Sequence, residues 1–600
     1  MALYGNRPAL MRRDERGAYT AITYIELHRS VDRLARSLRN LGIRPGGRVA
    51  ILARNCPEWV VADLAALKCG AIVVPLYTTL SPAALKYIIS DSGSCVVFAG
   101  DGGFFATVDS LRNELGCVRE VIVFDPSGIE RGKAFISFWP LVEETGENVE
   151  ASGGVGAVSA SASAGAESEW PQSALDDVAT IVYTSGTTGE PKGVVLSHGN
   201  ILSNAVCSRA RFGLSPKDRY LSFLPLSHTF ERTGGYYTTL LAGVPIAYAG
   251  DITTIIEDAR TIRPTCLIAV PRILEKVYDE AQRKVAESSA FRRRLVEAAI
   301  LSLNQRVNLR YRGRPVPVVL RLKCLFYDAV VARKFRNIAG GKLRLIVSGA
   351  APLDRRLAKT LTALGFNLFE GYGLTETSPS VSCTSFADNR LGPVGKPYDG
   401  VEVKIGDNSE VLVKGPNVMK GYFNKPEDTA RAFDADGWFL TGDQGRFDRH
   451  GNLIITGRIK ELIVTSYGKN VAPVPIETAI KESDYIEDVM LYGDREKYLV
   501  AVVVAQRGAV ERYARDNGME AACYEELLQT PAVRALIGSE IDKATANCSS
   551  YEKVKAFTVV SEGFSVANDL ITPTLKLRRV KVAEKYRDAI EIMYGRAGTT

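Results

Sequence analysis

The residues best suited to chemistry lie between positions 184 and 193, with an apolar run on each side. They are short hydroxyl donors, glycines and one lysine: Thr184, Ser185, Gly186, Thr187, Thr188, Gly189, Lys192 and Gly193. Glycines let the backbone turn tightly and bring its N–H groups close to an anion. Hydroxyl groups and an ammonium group add further donors. The set therefore indicates a loop that binds the phosphates of a nucleotide.

This loop differs from a Walker A loop. That motif has the form G-x-x-x-x-G-K-[ST] and continues directly into a helix. Here the residues after Lys192 form an apolar run, Val194–Leu196, that predicts a strand. Because the apolar run Val178–Tyr183 precedes the loop, the sequence predicts a loop that joins two strands. An ordinary hairpin loop rich in glycine and threonine is the alternative.

A second group of candidate residues lies between positions 343 and 376. Leu343–Ser348 predicts a strand, and the small residues Gly349 and Ala350 after it would let a flat base approach the backbone. The segment Glu370–Glu376 reads Glu-Gly-Tyr-Gly-Leu-Thr-Glu. Its candidate residues are Tyr372, Gly373, Thr375 and Glu376. A surface carboxylate is the alternative for Glu376.

Three segments of the C-terminal half complete the candidates. Asp436–Asp443 ends in a carboxylate that could accept hydrogen bonds from sugar hydroxyls, with an Asx turn as the alternative for Asp443. Gly457–Ile463 contains Arg458 and Lys460, and Gly468 follows shortly after it. Near the end, Lys576 and Arg579 form a K-x-x-R pair.

Together these motifs resemble the acyl-adenylate-forming superfamily, which includes acyl-CoA synthetases, peptide-synthetase adenylation domains and luciferases. Within it, AMP-forming long-chain fatty acyl-CoA synthetases are the most similar, and the resemblance covers nearly the whole chain. It implies that ATP and CoA react with a long-chain fatty acid to give acyl-CoA, AMP and pyrophosphate. The Thr-Leu-Lys that ends in Lys576 replaces the commoner Ser-Gly-Lys of the superfamily and matches the long-chain branch.

The resemblance also implies a role for each candidate. Tyr372 packs against adenine, and Thr375 and Glu376 reach phosphate and a bound Mg²⁺. Asp443 binds the ribose, and Arg458 contacts ribose or phosphate. His228 lines the acyl or adenylate pocket, and a histidine hydrogen-bonded in the core is the alternative. Mg²⁺ prefers oxygen ligands and often takes one or two carboxylates together with phosphate oxygens.

Two half-reactions follow from the resemblance. Lys576, Lys192 and Mg²⁺ held by Glu376 neutralise charge while the fatty acid attacks the α-phosphate. The smaller domain then rotates about Lys460, withdraws Lys576 and brings Gly468 to the CoA channel. The alternatives are an acyl-AMP ligase that passes the acyl group to a carrier protein, a luciferase-like oxygenase and a non-catalytic nucleotide sensor.

The elements that must position these residues alternate along the chain. Residues 20–100 read as helices and strands in a βαβα order, which predicts a largely parallel sheet covered by helices. Residues 400–456 predict a small β subdomain, and residues 151–169 form a low-complexity loop. We therefore predict an α/β protein with an N-terminal adenylation domain at 1–458. A small, mobile α+β C-terminal domain follows at 459–600.

Composition limits the function classes. A chain of 600 residues with 46% hydrophobic and 24% charged residues exceeds one compact core and is typical of globular proteins. Its net charge of +7 is small, and no basic run interleaved with aromatic residues indicates nucleic-acid binding. The ten cysteines form no C-x-x-C pair, which favours a reducing cytoplasm.

One segment raises the question of a membrane. The N-terminus lacks an apolar signal core, and no stretch approaches the ~20 residues of a membrane span. Residues 281–340 are helical and basic, and long-chain synthetases have similar extra sequence there. A solvated basic face is the favoured interpretation, and peripheral contact with the inner face of the membrane is the alternative. The sequence leaves the oligomeric state open, and a homodimer is one alternative because relatives are often dimeric.

Overall fold

The computed structural model describes most of the chain. The described residues are 3–143, 170–184, 190–251, 253–467, 469–519, 521–565, 567–572 and 577–596, without the side chains of Lys460 and Asn470. The predicted loop 151–169 lies outside them. Two compact units are present: Met1–Ala350 with Lys359–Val403 and Leu412–Leu440, and Ala351–Ala358 with Lys404–Val411 and Thr441–Thr600. The boundary predicted at 458/459 stays a prediction.

The strands are short, as in most α/β proteins. They are β1 Pro8–Arg13, β2 Tyr19–Thr23, β3 Arg48–Leu52, β4 Ile72–Pro75, β5 Val96–Ala99, β6 Glu120–Val123, β7 Ile136–Ser137, β8 Val178–Thr184, β9 Lys192–Ser197, β10 Tyr220–Ser222, β11 Ile246–Tyr248, β12 Cys266–Ala269, β13 Leu345–Ser348, β14 Leu368–Gly373, β15 Ser380–Cys383, β16 Lys396–Pro397, β17 Glu402–Ile405, β18 Glu410–Lys414, β19 Gly421–Tyr422, β20 Phe439–Phe447, β21 Leu453–Arg458, β22 Ile463–Val464, β23 Asn470–Val471, β24 Ile486–Tyr492, β25 Leu499–Ala505 and β26 Val554–Val560.

The α-helices range from one turn to six. They are α1 Tyr24–Asn40, α2 Pro57–Lys68, α3 Pro82–Ser92, α4 Gly102–Ser110, α5 Trp139–Val142, α6 His198–Phe212, α7 Thr238–Leu241, α8 Ile255–Ile262, α9 Pro271–Ala286, α10 Ala290–Tyr311, α11 Val318–Tyr327, α12 Arg333–Ile338, α13 Arg355–Ala363, α14 Pro426–Arg431, α15 Pro473–Ile480, α16 Arg507–Asp516, α17 Tyr524–Gln529, α18 Pro531–Ala544, α19 Arg579–Lys585 and α20 Arg587–Met593. A π-helical segment, Phe230–Tyr237, precedes α7.

The first unit contains two large sheets. One has the order β16-β15-β14-β13-β12-β10-β11-β1-β2, and the other has the order β19-β9-β8-β4-β3-β5-β6-β7. Neighbours are parallel in the middle of the first sheet and antiparallel at its two ends. Central strands such as β5 are buried along their whole length, which explains why they read as unbroken apolar runs. The predicted helix-covered, largely parallel sheet is confirmed.

The second unit is a smaller α+β structure. Its sheet has the order β24-β25-β26, with β24 antiparallel and β26 parallel to the central β25. All seven residues of β25 are buried, and helices such as α15 and α18 contribute to the same core. A separate four-stranded sheet, β17-β18-β20-β21, is consistent with the small β subdomain predicted at 400–456.

Candidate functional site

The hydroxyl-rich loop connects the two antiparallel strands β8 and β9. Thr184 at the end of β8 pairs with Lys192 at the start of β9. The predicted strand on each side is therefore confirmed, and Lys192 begins the strand β9 where a Walker A loop would begin a helix. A Cβ on Gly193 would lie 2.7 Å from Ile181 and 3.0 Å from Tyr183, so only glycine fits between these side chains. The predicted phosphate donors Ser185, Gly186, Thr187, Thr188 and Gly189 lie outside the described residues.

Lys192, the first residue of β9, contacts one carboxylate and one aromatic ring. Its Nζ lies 3.0 Å from Oδ2 of Asp428 and 5.2 Å from the ring centroid of Tyr422. Hydrogen bonds from Arg431 and then Lys192 lower the pKa of Asp428 to about 2, so this partner stays ionised near neutral pH. The lysine side chain remains 36% exposed, which leaves room for an anion to approach it.

Tyr422 connects Lys192 to Glu376. Its hydroxyl donates a hydrogen bond of 2.9 Å to Oε1 of Glu376. Burial and the nearby negative charge of Glu376 raise the pKa of Tyr422, so the hydroxyl keeps its proton. Strand β19 positions this tyrosine because Tyr422 pairs with Val194 on β9. The sequence did not identify Tyr422, since a strand of two residues has no periodic signal.

Glu376 lies in a 3₁₀ turn, Thr375–Thr377, between β14 and β15. Hydrogen bonds from a neighbouring segment fix this turn: Met419 donates its N–H to the carbonyl of Glu376 at 2.8 Å, and Asn417 donates to the carbonyl of Thr377 at 3.1 Å. The carboxylate is thus oriented before any ligand binds. One such carboxylate together with phosphate oxygens fits the needs of Mg²⁺. Among the described residues, no cluster of three or more histidine, cysteine or acidic side chains could hold a metal by itself.

Small residues follow the carboxyl end of β13. Gly349 and Ala350 come directly after this strand, and a Cβ on Gly349 would lie 3.0 Å from the ring of Phe230. Ala350 has a φ of 69°, a left-handed conformation that is unusual for alanine. The buried hydroxyl of Ser348 has no hydrogen-bond partner within the described part of the chain. In open α/β sheets, ligands bind beyond the carboxyl ends of the strands.

Tyr372 lies on the neighbouring strand β14. Strands β13 and β14 are parallel, so their carboxyl ends meet at the same edge of the sheet. Tyr372 is half-buried and pairs with Ser382 on β15. A Cβ on Gly373 would overlap the carbonyl oxygen of Pro379 at 1.8 Å, so glycine is required for the close approach of the two strands. The fold therefore brings Gly349, Ala350 and Tyr372 to one edge of the sheet, and their role in binding a base stays a prediction.

Asp443 and Arg458 face each other in the second unit. They are register partners on β20 and β21, and Nε of Arg458 lies 2.6 Å from Oδ1 of Asp443. Asp443 is almost completely buried, and its own N–H donates to the hydroxyl of Thr441 at 3.1 Å. The two residues predicted to bind ribose or phosphate thus form one ordered pair.

Arg579 anchors the C-terminal segment of the second unit. Its guanidinium binds both carboxylate oxygens of Glu477, with 2.7 Å between Nη1 and Oε1. Glu477 also accepts the N–H of Leu491 at 2.7 Å. Leu577, shortly before α19, forms an antiparallel bridge with Ile571. Lys576 and Gly468 lie outside the described residues, and for the predicted hinge Lys460 only the backbone, in the 3₁₀ turn Ile459–Glu461, is described.

His228 precedes the π-helical segment. Its Nδ1 accepts the N–H of Phe230 at 3.1 Å, so the proton of the neutral ring resides on Nε2. The ring lies edge-on to Tyr77, with 6.4 Å between centroids, and the side chain is half-buried. Its predicted role in the acyl pocket stays a prediction.

A buried charged cluster beside His228 escaped sequence analysis. Arg232 pairs with Asp63, donates to the hydroxyl of Thr180 at 2.7 Å and lies over the ring of Trp59 at 5.3 Å. The carboxylate of Asp63 also accepts the hydroxyl of Tyr237 at 2.6 Å. These groups join α2, β8 and the π-helical segment into one polar core. Asp63 and Arg232 are 169 positions apart, so their pairing left no local signal.

Glu231 is the second buried acid of this region. It accepts hydrogen bonds from Tyr220 at 2.7 Å and from Ser222 at 2.6 Å. Burial raises the pKa of Glu231 to about 7, while the two hydroxyl donors act in the opposite direction. This carboxyl group therefore titrates near neutral pH.

Comparison with known proteins gives consistent matches along the chain. The family described as "AMP-binding enzyme" matches residues 1–423, and the family described as "AMP-binding enzyme C-terminal domain" matches residues 460–598. The long-chain-fatty-acid–CoA ligase FadD15 of Mycobacterium tuberculosis is 33% identical over 586 residues, which cover 97% of this chain and 93% of that protein. Long chain acyl-CoA synthetase 6, peroxisomal, of Arabidopsis thaliana is 32% identical, with coverage of 97% and 83%.

Solved structures show the same fold. The adenylation domain of a carboxylate reductase from Mycobacterium chelonae has a TM-score of 0.75 at 24% identity, covering 99% of this chain and 89% of that one. ATP-bound MatB from Rhodopseudomonas palustris has a TM-score of 0.69 at 24% identity, with coverage of 98% and 97%. At 24% identity, these two structures show that the fold is shared, and they show nothing further.

Proposed function

Because the chain belongs to the AMP-binding enzyme family, we propose that it is a long-chain fatty acid–CoA ligase of the AMP-forming type. It activates the fatty acid with ATP to an acyl-adenylate, releases pyrophosphate, and transfers the acyl group to CoA with release of AMP. The observation that carries this proposal is the match, at about one-third identity through both units, with relatives named as long-chain ligases. The substrates are accordingly a fatty acid, ATP and CoA.

In the first half-reaction, two anions must approach each other. Lys192 offers a cation next to the strand-to-strand loop, and its neighbours Asp428 and Tyr422 keep it in place. Lys576 supplies the second cation in this proposal. Glu376, oriented by Tyr422, holds Mg²⁺, which neutralises phosphate charge when bound. Such preorganised charges stabilise the transition state because they need no rearrangement during the reaction.

The proposal gives each nucleotide-binding residue a part of the nucleotide. The ring of Tyr372 packs against adenine beside Gly349 and Ala350, and Thr375 reaches the phosphates. Asp443 binds the ribose hydroxyls, and Arg458 binds the ribose or a phosphate oxygen. Support comes from the shared edge of β13 and β14, from the buried, unpartnered hydroxyl of Ser348 in the described chain, and from the ordered pair on β20 and β21.

The second half-reaction needs a different arrangement, because the CoA thiol must approach where Lys576 stood. Rotation about Lys460 withdraws this lysine and brings Gly468 to the CoA channel. His228 lines the acyl pocket. The sequence offers no covalent nucleophile of the G-x-S-x-G type, and attack of a thiol on the mixed anhydride requires none.

The decisive experiment measures AMP release with acyl chains from acetate to oleate, in the presence of either CoA or a holo-carrier protein. We expect AMP release with long chains and CoA. Release with the carrier protein alone would identify an acyl-AMP ligase instead. ATP binding without any AMP release would indicate a nucleotide sensor, and light emission with oxygen would indicate a luciferase-like oxygenase.

The cellular setting is part of the same proposal. We place the enzyme in the cytoplasm as a homodimer that contacts the inner face of the membrane peripherally, where fatty acids partition. None of the helices in the described ranges is long and apolar enough to cross a bilayer. Scattered cysteines without disulfides among the described residues support a reducing compartment.

A further inference from the structure

Helix α11 exposes an apolar stripe to solvent. Its five outward residues are between 56% and 69% exposed: Val318, Val319, Leu322, Leu325 and Phe326. At 3.6 residues per turn, these positions fall within an arc of about 120°. A surface helix normally directs such a stripe into the core. Helix α11 therefore has an apolar face that nothing in the described chain covers.

The opposite face fixes α11 to the protein. Leu320 and Cys324 are buried, and the thiol of Cys324 donates to the carbonyl of Ser302 on α10 at 3.5 Å. Because this side of α11 already packs against the protein, the apolar stripe on its other side is a true surface feature. Two further exposed hydrophobic residues, Phe291 and Leu301, lie on α10 itself.

Positive charge surrounds the stripe. Residues 290–327 contain nine arginines and lysines and a single acidic residue, Glu297, in a chain whose total net charge is +7. On the helical wheel, Arg321 and Lys323 lie on the two sides of the apolar arc, and both are exposed. A helix with an apolar face bordered by cations is the pattern of helices that lie in the plane of a membrane surface.

We propose that α11 is an interfacial helix that inserts its apolar stripe into a bilayer containing anionic lipid. Val318, Leu322 and Leu325 enter the boundary between headgroups and acyl chains, and the flanking Arg321 and Lys323 contact lipid phosphates. Each such cation contributes about 1 kcal/mol of attraction to an anionic surface. This inference rests on the proposed function, because it gives the peripheral contact a defined surface and lipid class.

Charge decides between a membrane and other occupants of this surface. In a twofold dimer through α11, the same patch of each copy would meet, and the cations would repel one another. Nucleic acid would satisfy the cations, but it offers no partner for valine and leucine side chains, since single strands bind aromatic platforms. An anionic bilayer satisfies both components.

The test is sedimentation of the full-length protein with phosphatidylcholine vesicles. One set of vesicles contains about 30% phosphatidylglycerol, which makes the surface anionic, and the other set lacks it. We expect binding only to the anionic vesicles and weaker binding in high salt. Leu322→Ser/Leu325→Ser should weaken binding about tenfold. Arg321→Glu/Lys323→Glu should weaken it about 30-fold, since two attractive contacts are lost.

Matched controls come from exposed residues elsewhere. Leu202→Ser/Val206→Ser removes two partly exposed side chains from α6, and Arg512→Glu/Arg515→Glu reverses two exposed charges on α16. Both controls should bind like the unmodified protein. A Leu322→Trp variant adds an independent reading, because its emission should shift to the blue with anionic vesicles even if the serine variant misfolds.

Three outcomes would overturn the proposal. The first is that the α11 variants and their controls bind vesicles equally well. The second is that the unmodified protein does not sediment with anionic vesicles. The third is that light scattering without vesicles shows a dimer and that Leu322→Ser/Leu325→Ser converts this dimer to a monomer. Because binding is measured without turnover, a failure of the ligase proposal would leave this result unaffected.

Discussion

At the scale of single residues, Tyr422 is the most informative side chain of the first unit. It contacts both proposed charge carriers, since its ring lies beside the ammonium of Lys192 and its hydroxyl binds Glu376. A phenol can serve both because its face attracts cations while its O–H donates. We regard Tyr422 as a positioning residue for the carboxylate that would hold Mg²⁺.

Tyr422→Phe separates these two contacts. The ring remains beside Lys192, but Glu376 loses a hydrogen bond to a charged group, which is worth about 1.5–3 kcal/mol. We expect the Mg²⁺ concentration for half-maximal AMP release to rise about tenfold, with partial rescue of kcat at high Mg²⁺. Tyr498→Phe is the control, because it removes a hydroxyl that donates to the carbonyl of Met593 in the second unit. Identical Mg²⁺ dependence in the two variants would refute this role.

Glu231 gives the first unit a pH-dependent stability. Its pKa rises from an ordinary value of 4.5 to about 7 on burial, so the folded state holds a proton that the unfolded state releases. The stabilising contribution is complete below pH 4.5 and is lost as the pH rises towards 7. Over this window the free energy of unfolding should fall by about 3 kcal/mol from this group alone.

Glu231→Gln imitates the protonated acid and removes this titration. We expect the Tm of the unmodified protein to fall relative to that of the variant between pH 4.5 and about pH 7, the window between the pKa values of the unfolded and folded states. Thermal unfolding followed by circular dichroism at several pH values measures the difference. All other titrating groups are shared, so parallel pH profiles of the two proteins would contradict the raised pKa.

At the scale of elements, the strands around the loop depend on one glycine. Gly193 allows β9 to lie against Ile181 and Tyr183 on β8 while β19 pairs with its other edge. Lys192 precedes this glycine, so the same packing positions the ammonium group. Any side chain at position 193 must shift Ile181, Tyr183 or the backbone of β9 itself.

Gly193→Ala should therefore destabilise the hairpin by about 1–3 kcal/mol, as overpacking does in well-packed cores. We also expect AMP release to fall by about tenfold or more, because a shift of 1 Å in a catalytic group has large effects. Gly508→Ala is the control, since its Cβ would have ordinary contacts only, at 3.6 Å, near the start of α16. A Tm and an activity equal to those of the control would disprove the packing argument.

Elements with a local signal were predictable, and elements that depend on distant partners were not. Apolar runs gave β3, β5, β8 and β9, because buried strands need continuous hydrophobic side chains. The two-residue strand β19 has no such signal, as it exists only through its pairing with β9. Glu231 and Arg232 carry no local sign of burial in the sequence. Both are buried because the fold brings Tyr220, Ser222 and Asp63 to them.

The basic segment 281–340 also shows where prediction from the sequence ends, because here apolar residues are exposed. Its charge indicated a solvated face as the favoured interpretation, and this interpretation stays a prediction. Periodicity alone would have assigned the leucines and valines of α11 to the core. Only the structure shows that Leu320 and Cys324 already fill the inward positions and that the remaining apolar residues point outward.

At the scale of the whole molecule, the residues of the proposed mechanism belong to two different units. The first contains Lys192, Glu376 and Tyr372, and the second contains Asp443, Arg458 and Lys576. Within the second unit, Arg579 and Glu477 tie α19 to α15, and Leu577 next to Lys576 pairs with Ile571. Leu577 and Arg579 are thus both fixed within the second unit.

This division predicts that the two half-reactions respond to different substitutions. Lys576→Ala should lower pyrophosphate release about 100-fold or more, because a transition-state charge loses its partner. It should leave thioester formation from supplied acyl-adenylate nearly intact. Lys460→Pro should do the reverse, since proline fixes φ near −65° and opposes a backbone rotation at this position. Pyrophosphate release and CoA consumption, measured separately, test the pair. Equal losses in both half-reactions for either variant would mean that one arrangement of the units serves both steps.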